Sequence, residues 1–222
     1  MSSTKADWTK AETAVREHAD ELRTLDTHTA LYGWAKTHKL DTRALWPKVK
    51  TEMRKQLGVD YNEIRDRTVA ERAAQVIESA QDAPLIELWS AGDAEVSTFA
   101  VCNGDGTEAW HGEFHSNDNI YDAGDDLSAE LSAAEKAVHL AGKAREQQGL
   151  EAVRLLLHTC HPDIDADSVA ASAARHQVAV TVDVAEQNPA VPQCRVPGYQ
   201  SWHDVRLDTL LVTDDTEAAA AS

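Results

Sequence analysis

The fold is decided by residues 84–115, which read PLIELWSAGDAEVSTFAVCNGDGTEAWHGEFH. Short apolar runs here are separated by turn residues. The Asn-Gly-Asp-Gly segment at 103–106 is typical of a hairpin turn, because Asn and Gly tolerate positive φ. The pattern predicts three consecutive strands, over residues 85–89, 96–102 and 107–115, with a turn at residues 90–93 between the first two.

A helix and two further strands follow these three. Apolar residues recur at helical spacing over residues 127–148. The continuous apolar run at 153–158 predicts a strand that is covered on both faces. An Ala-rich segment ending near His176 predicts a short helix, and residues 178–184 predict a fifth strand. The order over residues 84–188 is therefore β-β-β-α-β-α-β, which predicts an α+β fold class with a mixed sheet.

The chain before this region is helical in pattern. Apolar residues fall on one face over residues 6–25. Further helices are predicted over 29–38, 47–57 and 60–79, the last with Asp60 as its N-cap. The predicted domains are a basic helical N-terminal domain at 1–81, the β-α region at 84–190, and an irregular C-terminal segment at 191–222 with an acidic, disordered tail.

The composition limits the classes to which the protein can belong. The chain has 222 residues, of which 42% are hydrophobic, enough for one or two domains with a true core. No apolar run reaches the roughly 18 residues of a membrane span, and the start at Met1 lacks an apolar signal segment. Three widely spaced cysteines argue against a disulfide framework. We therefore expect a cytoplasmic protein.

The charge is unevenly distributed along the chain. The formal net charge is −17, yet residues 27–59 hold seven Lys and Arg against two acids and carry +5. Such asymmetry is typical either of a face that binds a polyanion or of basic helices docked on an acidic neighbour. The first interpretation predicts contacts to the phosphates of DNA or RNA. The candidate contacts are Lys36, Lys39, Arg43, Lys48, Lys50, Arg54 and Lys55.

One segment at the start of the long helix carries a resemblance to a known family. The segment reads Ser128-Ala129-Glu130-Leu131-Ser132-Ala133-Ala134. Together with the element order over 84–188, it resembles the ribonuclease H superfamily across about half of the chain. The resemblance implies that Glu130 lies beside a metal site. At the two strand positions where the family carries further Asp residues, this chain has Ala91 and Thr159.

The absence of Asp at positions 91 and 159 leaves three functions to be considered. Family members cleave phosphodiesters with divalent metal ions held between carboxylates, so an active enzyme would need Mg²⁺ or Mn²⁺ and acids in new positions. The candidates for these acids are Glu130, Asp93, Asp163 and Asp165. We expect instead a degenerate, non-catalytic domain that serves as a scaffold in a nucleic-acid-associated protein. The alternatives are a divergent metal-dependent nuclease and a structural or protein-interaction protein that forms homo-oligomers.

Two histidine-containing segments are weaker candidates for soft metal sites. His158, Cys160 and His161 follow the fourth predicted strand, where the resemblance places the family's active site. They could hold a metal or mark a site without catalysis. The alternating residues 111, 113 and 115 offer two His and a Glu, but they are also typical of an exposed polar edge strand. In the family's sheet order the two segments lie three strands apart, about 14 Å, so they cannot form one site.

Overall fold

The computed structural model of the chain describes residues 5–107 and 109–212. The chain divides into two compact units, with the boundary between Glu71 and Arg72. Within the described residues there are eight α-helices, five β-strands and two short 3₁₀ helices. None of these helices is both long and apolar enough to cross a membrane.

The first unit is helical. Its elements are α1 (Lys5–Glu17), α2 (Ala19–Thr24), α3 (His28–Thr37), α4 (Trp46–Leu57) and α5 (Tyr61–Ser79), the last of which crosses the unit boundary. Their inward faces form one apolar core, and this burial supplies most of the unit's stability. The fully or nearly buried members are Ala11, Val15, Leu22, Leu31, Trp34, Ala35, Leu40, Leu45, Val49 and Met53.

Capping residues explain where these helices begin and end. The predicted cap at Asp60 is confirmed, since its Oδ1 accepts from the backbone N–H groups of Asn62 and Glu63. Gly58 ends α4 in the left-handed region at φ 69°. The single helix predicted over residues 6–25 is wrong, because the chain breaks at His18. The break lets α1 and α2 bury their apolar residues in the same core.

The second unit contains the sheet. Its strands are β1 (Leu85–Asp93), β2 (Thr98–Cys102), β3 (Ala109–Glu113), β4 (Val153–Thr159) and β5 (Val178–Val184), and its helices are α6 (Asp126–Gln147), α7 (Ala170–His176) and α8 (Ala190–Gln193). Two 3₁₀ helices follow, Trp202–Asp204 and Leu207–Leu210. The fold class is therefore α+β, as the sequence predicts, and the element order from β1 to β5 is β-β-β-α-β-α-β.

The five strands form one mixed sheet in the order β3-β2-β1-β4-β5. The pairs β1/β2 and β2/β3 are antiparallel, whereas β1/β4 and β4/β5 are parallel. β3 is thus an edge strand, and β4 lies three strands away from it. The main core of the unit forms where α6 packs on the sheet, with buried residues that include Ile86, Leu88, Leu155 and Leu157.

Tertiary pairing overrides two local predictions. The turn predicted at residues 90–93 is wrong, because β1 continues to Asp93 in antiparallel register with β2. The actual turn follows, and the Asp93 Oδ1 accepts from the backbone N–H groups of Glu95 and Val96. The exposed polar edge predicted at residues 111, 113 and 115 is confirmed for Glu113 and His115 but wrong for His111, which is 7% exposed because a backbone bridge to Gln200 covers it. The predicted disordered tail lies outside the described residues.

Gly92 sets the distance between β1 and α6. A Cβ atom at this position would lie 2.3 Å from the carbonyl carbon and oxygen of Ala129 and 2.7 Å from the backbone nitrogen of Glu130. These atoms belong to the first turns of α6, which cannot move aside without disturbing the core beneath them. Only glycine therefore permits this approach of helix to strand.

We expect Gly92→Ala to destabilise the second unit by about 3 kcal/mol, because the added methyl group must push against backbone atoms. The matched control is Gly33→Ala in α3, where a Cβ atom meets nothing within 4 Å. That change should stabilise its helix by about 0.5–1 kcal/mol. Urea unfolding followed by circular dichroism measures both. Equal stabilities of Gly92→Ala and wild type would contradict the proposed close packing.

Candidate functional site

A cleft of about 380 Å³ opens where the carboxyl ends of β1 and β4 meet the start of α6. β1 has an antiparallel neighbour on one side and a parallel neighbour on the other, so the chain changes direction across the sheet at this point. Ligands of open α/β sheets commonly bind at such positions. The cleft is lined by Ala91, Gly92, Asp93, Ala94, Glu95, Asp126, Glu130, Cys160, Val191 and Cys194.

Glu130 is the buried acid of this cleft. Its carboxylate accepts a hydrogen bond from the Thr159 hydroxyl at 3.3 Å and bonds from the backbone N–H groups of Gly92 and Cys160. The side chain is 7% exposed, and burial raises its pKa to about 7, although these hydrogen bonds oppose the rise. The carboxyl group thus ties the ends of β1 and β4 to the first turns of α6.

The two positions that lack their expected acids, Ala91 and Thr159, lie at this same place. Both are buried, at 2% and 0% exposure. Thr159 contacts Glu130 directly, and the Ala91 carbonyl oxygen accepts from the thiol of Cys194 at 3.3 Å. The structure therefore brings the three sequence positions together, but only one of them supplies a carboxylate.

Of the three Asp residues proposed as relocated ligands, the structure places only one in the cleft. Asp93 lines the cleft with Glu130, and its carboxylate pairs with Arg195 at 3.1 Å. Asp163 and Asp165 are not among the lining residues. The Oδ1 of Asp165 accepts from the hydroxyl and backbone N–H of Ser168, and this local turn lowers the pKa of Asp165.

These acids do not fit a catalytic Mg²⁺ or Mn²⁺ site. Such an ion takes several hard oxygen ligands that converge on one point. In residues 5–107 and 109–212, no trio of His, Cys, Asp or Glu with ligand atoms within 4.8 Å of one another includes Glu130 or Asp93. The carboxylate of Glu130 also already accepts three hydrogen bonds, and that of Asp93 is neutralised by Arg195.

Several features of the cleft have no signal in the sequence. Arg195 lies in a Pro-rich irregular segment, 102 residues after Asp93, and also reaches Glu95 at 3.4 Å. Cys194 and Val191 come from the same segment and close one side of the cleft. Their place depends on how the chain returns to the sheet after β5, which no local pattern encodes.

His158, Cys160 and His161 do not form a shared metal site. The Nε2 of His158 bonds Glu87 at 2.9 Å and its Nδ1 bonds Asp183 at 3.1 Å, so both ring nitrogens are occupied. Burial, followed by the nearby Glu130, raises the pKa of the Cys160 thiol to about 11, which keeps it protonated. The Nδ1 of His161 accepts from a backbone N–H.

The Glu87–His158–Asp183 contact instead fastens three neighbouring strands. Each residue comes from a different strand, and the register pairs His158 with Asp183 across β4 and β5. Trp89, its partner on β1, stacks on the imidazole ring at a centroid distance of 4.3 Å. We interpret this cluster as structural, because a carboxylate contacts each of the two ring nitrogens of His158.

The residues at positions 111, 113 and 115 differ in how far they are buried. His111 is buried, whereas Glu113 and His115 line a second cavity of about 470 Å³. That cavity is largely aromatic, and Lys136 lies 4.7 Å from the ring centroid of Phe99 at its wall. His111 does not line it, so His111 and Glu113 of β3 and the following His115 form no common site.

The basic candidates of the first unit fall into two groups. Lys36, Lys39 and Arg43 are exposed and make no ion pair or hydrogen bond through their side chains within the described part of the chain. The other four have partners inside the unit. These pairs are Lys48 with Asp7 at 3.6 Å, Lys50 with Asn62 at 3.4 Å, Arg54 with Asp60 at 3.4 Å and Lys55 with Glu52 at 3.5 Å.

Aromatic residues of the first unit serve mainly as core. Trp34 is 5% exposed and belongs to the core of that unit. Trp46 packs edge-on against Tyr32 at 5.5 Å and Tyr61 at 4.9 Å. Tyr32 is 41% exposed. An exposed aromatic ring of this kind can stack on a base.

Glu130→Gln should change the pH dependence of stability. The pKa of Glu130 is raised from 4.5 to about 7, so the folded unit keeps a proton that the unfolded chain has released. Wild-type stability therefore falls as pH rises through that window. Gln does not titrate, and the variant should gain roughly 3 kcal/mol on wild type across it.

Urea unfolding of both proteins at about pH 4 and about pH 8 measures this difference, and all other titrating groups cancel in the comparison. Parallel stability curves for the two proteins would mean that folding does not shift the pKa of Glu130, which would contradict this prediction.

Comparisons with protein-family models, with curated proteins and with solved structures found no match to this chain. The chemistry of the cleft is therefore inferred from the contacts of its side chains. One buried carboxyl group is satisfied by a hydroxyl and two amides, and a second is neutralised by a guanidinium group.

Proposed function

We propose that this chain is a non-catalytic, nucleic-acid-associated protein built on a degenerate ribonuclease H-like domain. The observation that carries the proposal is the hydrogen bonding of Glu130. This residue stands where the resemblance implies a metal ligand, yet its carboxylate bonds Thr159 and two backbone amides. A group used in this way holds strand ends together and leaves no converging set of oxygens for a metal ion.

The sheet supports the ribonuclease H-like part of the proposal. Three strands, a helix, a strand, a helix and a strand follow one another from β1 to β5. The sheet order β3-β2-β1-β4-β5 places the third strand at an edge, three strands from the fourth, which is the arrangement that the resemblance implies. Glu130 and Ala91 also line one cleft, and Thr159 bonds Glu130, as expected of positions that belong to one site.

The charge of the first unit supports association with nucleic acid. Lys36, Lys39 and Arg43 are exposed within eight residues of one another and have no acidic partner among the described residues. Phosphate binding by such side chains releases counterions, which makes the affinity strongly dependent on salt. We call residues 36–43 the basic segment and propose it as the contact surface, with Tyr32 one turn earlier on α3.

A divergent nuclease is the second candidate, because Asp93, Asp126 and Glu130 line one cleft. Binding of a metal ion there would require Arg195 to release Asp93 and Glu130 to abandon its hydrogen bonds. Substrate phosphates supply ligands to many Mg²⁺ sites, so a bound nucleic acid is the condition under which this rearrangement has to be tested.

One experiment separates these functions. Labelled single-stranded DNA, duplex DNA and RNA–DNA hybrid are incubated with the full chain and Mg²⁺ or Mn²⁺, and each sample is divided between a denaturing and a native gel. We expect intact substrate that is retarded at low salt. Metal-dependent cleavage that disappears in Glu130→Gln would overturn the non-catalytic proposal in favour of the nuclease.

The triple variant Lys36→Ser, Lys39→Ser, Arg43→Ser tests the basic segment. Loss of three phosphate contacts should reduce the slope of log affinity against log salt by about 2 on single-stranded DNA. The matched control changes three exposed cations of the same unit, Lys10, Arg16 and Arg65, to Ser. Equal loss in both variants would indicate general charge attraction, and no retardation of wild type would favour the protein-interaction role.

A further inference from the structure

Three side chains of metal-binding type meet at the helix ends of the first unit. His18 lies at the break between α1 and α2, Glu21 is in the first turns of α2, and His38 directly follows α3. One ligand atom from each residue lies within 4.8 Å of those of the other two. Two breaks in helical structure, twenty residues apart in sequence, thus bring three ligands to one point.

The surrounding contacts hold these side chains in place. The Nδ1 of His18 lies 3.0 Å from the Oε2 of Glu21, and the ring centroids of His18 and His38 are 4.2 Å apart. Both imidazole rings pack on the buried indole of Trp34, at centroid distances of 5.6 Å and 4.9 Å. The indole is a common wall for both rings, whereas Glu21 is exposed to solvent.

The chemistry of the set is that of a zinc ligand triad. Two imidazole nitrogens and one carboxylate oxygen form three corners of a tetrahedron around Zn²⁺, at about 2.0–2.2 Å each, with water at the fourth. Glu21 supplies the negative charge that a dication needs beside the neutral imidazoles. Its side chain is 52% exposed, so the carboxylate can reorient toward an ion held by the two imidazole rings.

We propose that His18, Glu21 and His38 bind a divalent transition-metal ion of the zinc class. The ion joins the α1–α2 break to the carboxyl end of α3, where the rings of His18 and His38 already pack on each other and on Trp34. It would stabilise the first unit by binding only the folded arrangement. His38 lies within the basic segment, but the side chains proposed to contact nucleic acid there are Lys36, Lys39 and Arg43, so the metal site does not rest on that proposal.

The test uses the full chain without a histidine tag, stripped of metal with a chelator and dialysed. Zn²⁺ is titrated by isothermal calorimetry, and Co²⁺ is titrated by visible absorption, where tetrahedral coordination gives intense bands. We expect one ion per chain and a rise in the thermal unfolding midpoint with Zn²⁺. His38→Ala should weaken binding by a factor of about 100 or more, since loss of even an outer hydrogen-bond partner costs about 10–100-fold.

Two further variants keep the test decisive. Glu21→Gln changes an exposed side chain with little risk to folding, and it should weaken Zn²⁺ binding while leaving the metal-free unfolding midpoint nearly unchanged. His115→Ala is the matched control, because this exposed histidine lies in the second unit and should bind no differently from wild type. No saturable binding by wild type, or equal affinity in wild type, Glu21→Gln and His38→Ala, would overturn the proposal.

Discussion

The close approach of α6 to β1 at Gly92 is the constraint on which the second unit depends. Because no side chain separates strand from helix at this point, the first turns of α6 lie directly against the end of β1. Glu130 is carried into the interior by that contact and meets Thr159 at the end of β4. The same contact therefore fixes the helix on the sheet, joins two parallel strands and forms the floor of the cleft.

The chemistry of the cleft follows from how its carboxyl groups are satisfied. Burial favours the protonated form of Glu130, whereas a metal site needs the ionised form. Asp93 is satisfied differently from Glu130, because the guanidinium group of Arg195 neutralises its carboxylate at the rim of the cleft. Burying an unpaired charge would cost far more free energy than either arrangement. This cost explains why each acid has a partner within the protein.

The two units differ in the kind of chemistry that their surfaces offer. The first unit carries the unpaired cations of residues 36–43 and the cluster of His18, Glu21 and His38. The second unit engages several titratable groups at strand ends or in cross-strand contacts such as Glu87–His158–Asp183. Association with a polyanion and binding of a metal ion are therefore proposed for the helical unit, and a scaffold role for the sheet.

The sequence by itself determined the element order, the α+β class and most helix and strand positions, because periodicity, caps such as Asp60 and stops such as Gly58 act locally. It also identified Glu130, Ala91 and Thr159 as related positions. Only the tertiary structure decided that β1 extends to Asp93, that Arg195 neutralises this acid, and that His18 and His38 meet. Those features depend on strand register and on residues far apart in the chain, and local patterns carry no information about such distances.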